Sequence, residues 1–102
     1  MKLPSIIIKR NGNVVEFDEN KIYAAINKAR IHTEEFEEKE VTKLTKQVLK
    51  QISEENNFDN LTVERVQDLV ELVLLNSKYK NTAKAYIIYR EKRNQARKPD
   101  IF

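Results

Sequence analysis

No cysteine occurs in the chain. That excludes disulfides, a zinc ribbon, a thiol nucleophile and a thiol-based radical, and it fits a cytoplasmic protein. There is one glycine, Gly12. Neither a P-loop nor a dinucleotide fingerprint can be written with one glycine, so any phosphate site must use cationic side chains, helix N-termini and hydroxyls. The one histidine is His32. No Ser-His-Asp or Cys-His set can be assembled around it, and no His/Cys cluster has metal-ligand spacing. It falls at a predicted helix end beside an acidic run, where a solvated or dipole-complementing role is expected. Met1 to Ile8 is too short an apolar run for a signal peptide or a membrane span. The expectation is a soluble intracellular domain with no membrane partner and no catalytic residues.

What the chain has is charge, unevenly placed. Its 102 residues suffice for one domain with one core. About a third are charged, yet the net charge is only +3. Residues 34–40 hold Glu34, Glu35, Glu37, Glu38 and Glu40 against Lys39, whereas residues 78–98 hold eight Lys or Arg against Glu91. Such a split favours an anionic partner at one end of the molecule, although a solvated helix face accounts for it equally well.

Two apolar runs meet at Asn11-Gly12, within Ile6-Ile7-Ile8-Lys9-Arg10-Asn11-Gly12-Asn13-Val14-Val15-Glu16-Phe17. Asn-Gly suits a type I′ turn, whose central residues both need positive φ. A two-residue loop pairs Arg10 with Asn13, Lys9 with Val14, Ile8 with Val15, Ile7 with Glu16 and Ile6 with Phe17. One face then carries Ile6, Ile8, Val15 and Phe17, and the other Ile7, Lys9, Val14 and Glu16. A lone hairpin is marginal in water, and no other stretch reads as a strand, so helices are the expected support.

Four helices follow. Asp18 caps the first, which runs to about Ile31 with Ile22, Ala25, Ile26 and Ala29 as its buried stripe. The second spans roughly 37–55, with Val41, Leu44, Val48, Leu49 and Ile52 inward, and its acidic start suits a helix N-terminus. Residues 56–61 are a loop rich in Asn and Asp. Thr62 caps the third helix, which reaches Asn76 and is the most hydrophobic. The last begins at Asn81 or Thr82 and runs to about Arg97, with Ala83, Tyr86, Ile87 and Arg90 inward. The expected fold class is α+β: a small N-terminal β-hairpin cap on a four-helix bundle, in the order ββαααα. One domain is expected over 1–102, with its core at about 5–95 and a basic tail at 96–102.

Lys9, Arg10 and Lys21 fall within thirteen residues, and an anion at the Asp18-to-Lys21 helix start would gain backbone N–H donors as well. Strict strand alternation, however, sends Lys9 and Arg10 to opposite faces. Glu16 and Asp18, close to these cations, read as their partners or as contacts to metal-bound water rather than as an acid/base pair.

Three motifs in order carry a resemblance: Lys9-Arg10-Asn11-Gly12 with Val15-Glu16-Phe17-Asp18 and Lys21-Ile22; Thr62 to Glu71; and Ala85 to Arg93. Together they resemble the ATP-cone, the allosteric nucleotide-binding domain of many ribonucleotide reductases and of the ribonucleotide-reductase transcriptional repressor. The family usually has Asp where this chain has Asn11. The resemblance implies a hairpin sheet capping a four-helix bundle, with ATP or dATP beneath the cap, accompanied by Mg2+. It places Lys9, Arg10 and Lys21 on the phosphates, joined by Lys92 or Arg93 from the last helix. It places Ile7, Phe17 and Ile22 on the adenine side, and Thr62 and Gln67 as polar contacts to base or sugar. It further implies control of a reductase through changed oligomeric assembly. The partner would be a reductase catalytic domain or a second copy of the cone. The anaerobic and cobalamin-dependent reductases are favoured over the repressor, whose cone follows a cysteine-rich zinc ribbon.

Two other readings stand beside this one. A nucleic-acid-binding module would use Lys84, Arg90, Lys92, Arg93, Arg97 and Lys98, but these spread around the helix, and Tyr86 lies on its core side. A helical adaptor would keep the fold without binding nucleotide.

Overall fold

The computed structural model describes residues 2–56 and 58–96, the last two by backbone alone. Apart from Ala96, the expected basic tail, with Arg97 and Lys98, lies outside the described residues. Each helix buries one apolar stripe, and the four stripes meet in a ring. Helix α1 (Glu19–Thr33) packs between α2 (Glu38–Ser53) and α4 (Lys80–Ala96), and α3 (Val63–Asn76) closes the ring between α2 and α4. A 3-10 turn, Phe58–Asn60, interrupts the α2–α3 link. The core gathers Ile22 and Ile26 from α1, Val41, Val48 and Ile52 from α2, Val66, Val70 and Leu74 from α3, and Ala83 and Tyr86 from α4. Burial pushes the Tyr86 phenol well above its ordinary pKa.

The helix ends follow their caps. Asp18 Oδ1 accepts the Asn20 N–H at 3.0 Å, and Thr62 Oγ1 accepts the Arg65 N–H at 3.1 Å. Helix α1 passes the expected Ile31 and ends at Thr33, with Glu34 in the left-handed region at φ 53°. Helix α2 stops at Ser53 rather than Glu55, and α4 begins at Lys80, just ahead of the expected Asn81. At this end of the bundle, Glu35 Oε1 accepts both the N–H and the O–H of Thr82, at 2.6 and 2.9 Å. Part of the acidic run is therefore a cap for a helix far along the chain. Phe36 meets Tyr79 with ring centroids 4.1 Å apart, so the α1–α2 and α3–α4 links close one end together.

The hairpin closes the other end, and its register differs from expectation. Strands β1 (Ile6–Ile8) and β2 (Val14–Glu16) pair Ile6 with Glu16, Ile7 with Val15 and Ile8 with Val14. The loop is Arg10-Asn11-Gly12, closed by Gly12 N–H to Lys9 O at 2.9 Å and Lys9 N–H to Asn13 O at 2.8 Å. Gly12 takes positive φ, +88°, and Asn11 does not. This is the three-residue loop, a type I turn followed by a left-handed glycine, instead of type I′. A one-residue slip exchanges the faces of a strand. Ile7 is accordingly fully buried and Val15 packs against the core, while Ile6 and Val14 face outward.

The physical reason lies outside the hairpin. Ile8 donates its N–H to Leu61 O at 3.0 Å and forms a parallel bridge with Thr62. The segment before α3 thus pairs with the free edge of β1, which corrects the expectation that helices alone support the hairpin. That second pairing, together with the burial of Ile7, decides which face points down.

Candidate functional site

The hairpin loop, the start of α3 and the C-terminal turns of α4 converge. Arg10 sits in the loop rather than in the strand ladder, so alternation does not separate it from Lys9. Both line one cleft of about 350 Å³, with Ile8, Gly12, Thr62 and Glu64. Arg10 Nε donates to Glu64 Oε1 at 2.7 Å, and Arg10 Nη2 donates to Asn94 Oδ1 at 2.7 Å. The side chains of Arg10 and Glu64 are about half exposed, at 46% and 52%. Thr62 lines the same cleft as an exposed residue, and a hydroxyl that accepts a capping N–H can still donate its own proton. Lys21 projects from the first turns of α1 as an exposed cation.

Gln67 lies deeper, buried on α3, and its Oε1 accepts the Arg90 Nε–H at 3.2 Å. Arg90 also meets Asp68 Oδ1 at 2.8 Å, Glu71 Oε1 at 3.4 Å and the Glu64 carbonyl at 3.2 Å. Burial works against this guanidinium's charge, but the hydrogen bond and field of Asp68, aided by Glu71, hold its pKa above the ordinary value. Arg93 lies 5.9 Å from the Tyr89 ring centroid, and Lys28 Nζ lies 4.7 Å from the same centroid. Lys92 is exposed one residue earlier.

Residues 5–95 match the family of the ATP cone domain. The chain belongs to the ATP-cone family. It is 38% identical over 96 residues to the vitamin B12-dependent ribonucleoside-diphosphate reductase of Thermoplasma acidophilum, a match covering 89% of this chain and 12% of that protein. It is 34% identical over 102 residues to the ribonucleoside-diphosphate reductase subunit alpha of Chlamydia trachomatis, covering 90% of this chain and 10% of that one. The subunit alpha of Chlamydia pneumoniae is also 34% identical, over 101 residues. The cone thus spans about a tenth of the length of the curated relatives it matches. Cones bind nucleotide effectors, and membership supports a nucleotide-binding regulatory role for this one.

The cone brings some of the sequence-named residues together and not others. Lys9, Arg10 and Thr62 share the cleft. Ile7 and Ile22 have no exposed surface and belong to the core, and Phe17 packs partly buried against it. A base could touch those two isoleucines only if the cap lifts. Lys92 and Arg93 sit beside Asn94, the residue that Arg10 reaches. Two residues went unnamed as site residues from sequence, Glu64 and Asn94, which stand 54 and 84 positions from Arg10. Glu64 lies inside the Thr62-to-Glu71 motif, so a signal for it existed; Asn94 had none.

The basic face of α4 is less available than its composition implies. Arg90 is engaged by α3 and Tyr86 is buried, so neither offers itself to a nucleic acid. His32 is exposed in the last turn of α1. Among the described residues, no group of three or more His, Asp or Glu is placed to hold a metal ion, and no helix is long and apolar enough to cross a membrane.

Proposed function

We propose that residues 1–102 act as one regulatory unit that senses adenine nucleotides, binding ATP or dATP beneath the hairpin and controlling a ribonucleotide reductase in the cytoplasm. The observation that carries this reading is the placement of Lys9, Arg10 and Thr62 around a single cleft in a chain of the ATP-cone family. Lys9 and Arg10 take the phosphates, with Lys21 approaching from α1 and Lys92 or Arg93 from α4. Thr62 and Gln67 supply polar contacts to sugar or base, and Ile7, Phe17 and Ile22 form the apolar ground on the adenine side once the cap lifts. A Mg2+ ion accompanying the nucleotide would supply counter-charge to its phosphates, while Lys9, Arg10 and Lys21 would orient them.

A sensor gains nothing by hydrolysing its ligand. It needs a difference in affinity between two states of the assembly, and a coupling of roughly 1–3 kcal/mol suffices. The hairpin is the natural moving part, since Ile6 and Val14 face outward and Ile7 is its one fully buried side chain. ATP and dATP differ by one hydroxyl, so discrimination between them rests on a polar or steric contact near the sugar. The response passes to a reductase catalytic domain, or to a second cone, through altered oligomeric state.

Calorimetric titration with ATP and dATP tests the reading. Saturable binding is expected, weakened at least about tenfold by combined Lys9→Ala and Lys21→Ala, since each removes a charge-assisted contact. No binding at millimolar nucleotide, or binding indifferent to both substitutions, overturns it.

A further inference from the structure

One carboxylate stands where the ligand's negative charge belongs. Among the described residues lining the cleft, Glu64 is the single acid. Its Oε1 takes the Nε–H of Arg10, the same cation assigned above to phosphate. An acid in the first turn of α3 is favourable to the helix dipole, and that accounts for the residue type. It does not account for the seat on Arg10, because the dipole is served by any acid near that turn. Arg65, the next residue, points to another side of the helix and pairs with Glu55 at 2.6 Å. The Arg10–Glu64 pair is about half exposed on both sides, so it is of the weak, readily exchanged kind. A phosphate oxygen seeks the same charge-assisted N–H donors as a carboxylate. The one N–H of Arg10 Nε cannot point fully at both.

We propose that Glu64 is a built-in competitor for the phosphate position of this cleft, an inference that rests on the nucleotide reading above. In the empty domain the Glu64 carboxylate holds Arg10. A polyphosphate ligand takes Arg10 by displacing it, and the exchange cuts the side-chain tie between the hairpin loop and α3. The backbone bond from Ile8 to Leu61 remains as the hinge. Glu64 therefore sets the threshold concentration at which the cone fills. It does so for ligands that carry phosphate and not for the nucleoside alone.

The test is a set of calorimetric titrations on the 102-residue chain with Glu64→Gln, Glu64→Ala, Arg10→Ala and the Arg10→Ala/Glu64→Gln double variant. Ligands are ATP, inorganic tripolyphosphate and adenosine, each with magnesium and with chelator. Both Glu64 variants should bind ATP and tripolyphosphate roughly two- to fivefold more tightly than the parent, the scale of a half-exposed ion pair. Adenosine should be unaffected, and the gain should vanish in the Arg10→Ala background. Unchanged or weaker binding by both Glu64 variants overturns the inference. A gain that persists without Arg10 also overturns it, since the effect is then only the general field of one negative charge. Weaker binding confined to the magnesium series overturns it in favour of Glu64 as a contact to metal-bound water. A parent that binds ATP through Lys9, with no gain in the Glu64 variants, sinks this inference alone. Absence of ATP and tripolyphosphate binding in every variant sinks the nucleotide reading with it.

Discussion

Arg90 and Arg10 both carry a guanidinium to α3, one across a helix–helix seam and the other from the hairpin loop. Arg90 is 17% exposed and meets Gln67, Asp68, Glu71 and the carbonyl of Glu64. Those partners recur every three or four residues, so they form one column on one face of one helix. Any folded α3 presents that column, and Arg90 is a strut between two packed helices. Arg10 is 46% exposed and bridges two separate elements, Glu64 on α3 and Asn94 on α4, from a loop shaped by Gly12. Its contacts exist only while the cap is down. Identical chemistry gives a fixed brace in one place and an exchangeable latch in the other, and the difference lies in how many elements must stay put.

The hairpin itself gives the largest expected effect. Its hold on the bundle runs through Ile7, fully buried as part of the core cluster. Ile7→Ala should cost about 2–4 kcal/mol in urea unfolding, the transfer and cavity terms together. Ile6→Ala and Val14→Ala, on the outward face, should stay within about 0.5 kcal/mol. The two-residue-loop register would reverse that ranking for Ile6 and Ile7, so these variants decide the register directly. Next comes the strut. Arg90→Met keeps an apolar stem but removes the guanidinium from Asp68, Glu71 and Gln67, leaving Asp68 only the longer 4.0 Å approach of Arg65 among its ion pairs with described residues. A loss of about 2 kcal/mol is expected, roughly 10 °C in thermal unfolding for a domain of this size. A melting point within a degree of the parent would mean that α3 and α4 hold each other without it.

These variants probe the places where local pattern stopped being informative. The four helices could be read from sequence because burial on a helix repeats with the helix period, and because Asp18 and Thr62 cap where such residues cap. The hairpin existed in the pattern, but its register did not. Asn11-Gly12 serves a two-residue loop or a three-residue loop, and the choice was made by Leu61 and Thr62, some fifty residues on, pairing with Ile8. Glu35 capping α4 and Asn94 holding Arg10 are likewise long-range pairings with no local period. The cleft was legible in the charge of Lys9 and Arg10 and, through the family motif, in Thr62, but the common direction of the two cations depended on Arg10 leaving the strand for the loop.

A smaller effect separates a third ion pair from the first two. Arg65 reaches Glu55 with two hydrogen bonds, 2.6 and 3.1 Å, tying the link just after α2 to the first turn of α3. The bond from Arg65 holds the Glu55 carboxyl below the usual carboxylate range. A depressed folded pKa means that its stabilisation is complete above the unfolded value and disappears as pH falls through the folded one. Glu55→Gln should therefore lose no more than about 1 kcal/mol at neutral pH. Its stability curve should converge with the parent's in acid. Curves that stay parallel to the lowest pH would show that the pair contributes through packing and not through charge.

The smallest effect on stability is the one that most sharpens the contrast between latch and strut. Arg10→Ala removes an exposed pair and one neutral acceptor's partner, so without ligand its thermal unfolding should lie within about 0.5 kcal/mol of the parent. With ATP at a hundred times the parent's dissociation constant, the parent should gain about 2.7 kcal/mol by mass action, and Arg10→Ala should gain visibly less. Arg90→Met should show the converse, a large deficit without ligand and a nearly normal increment with it, provided that it still folds. A latch is silent until its ligand arrives, whereas a strut is felt at all times. An Arg10→Ala chain as unstable as Arg90→Met in the absence of nucleotide would make Arg10 a second strut, and the cap would then be a fixed part of the bundle.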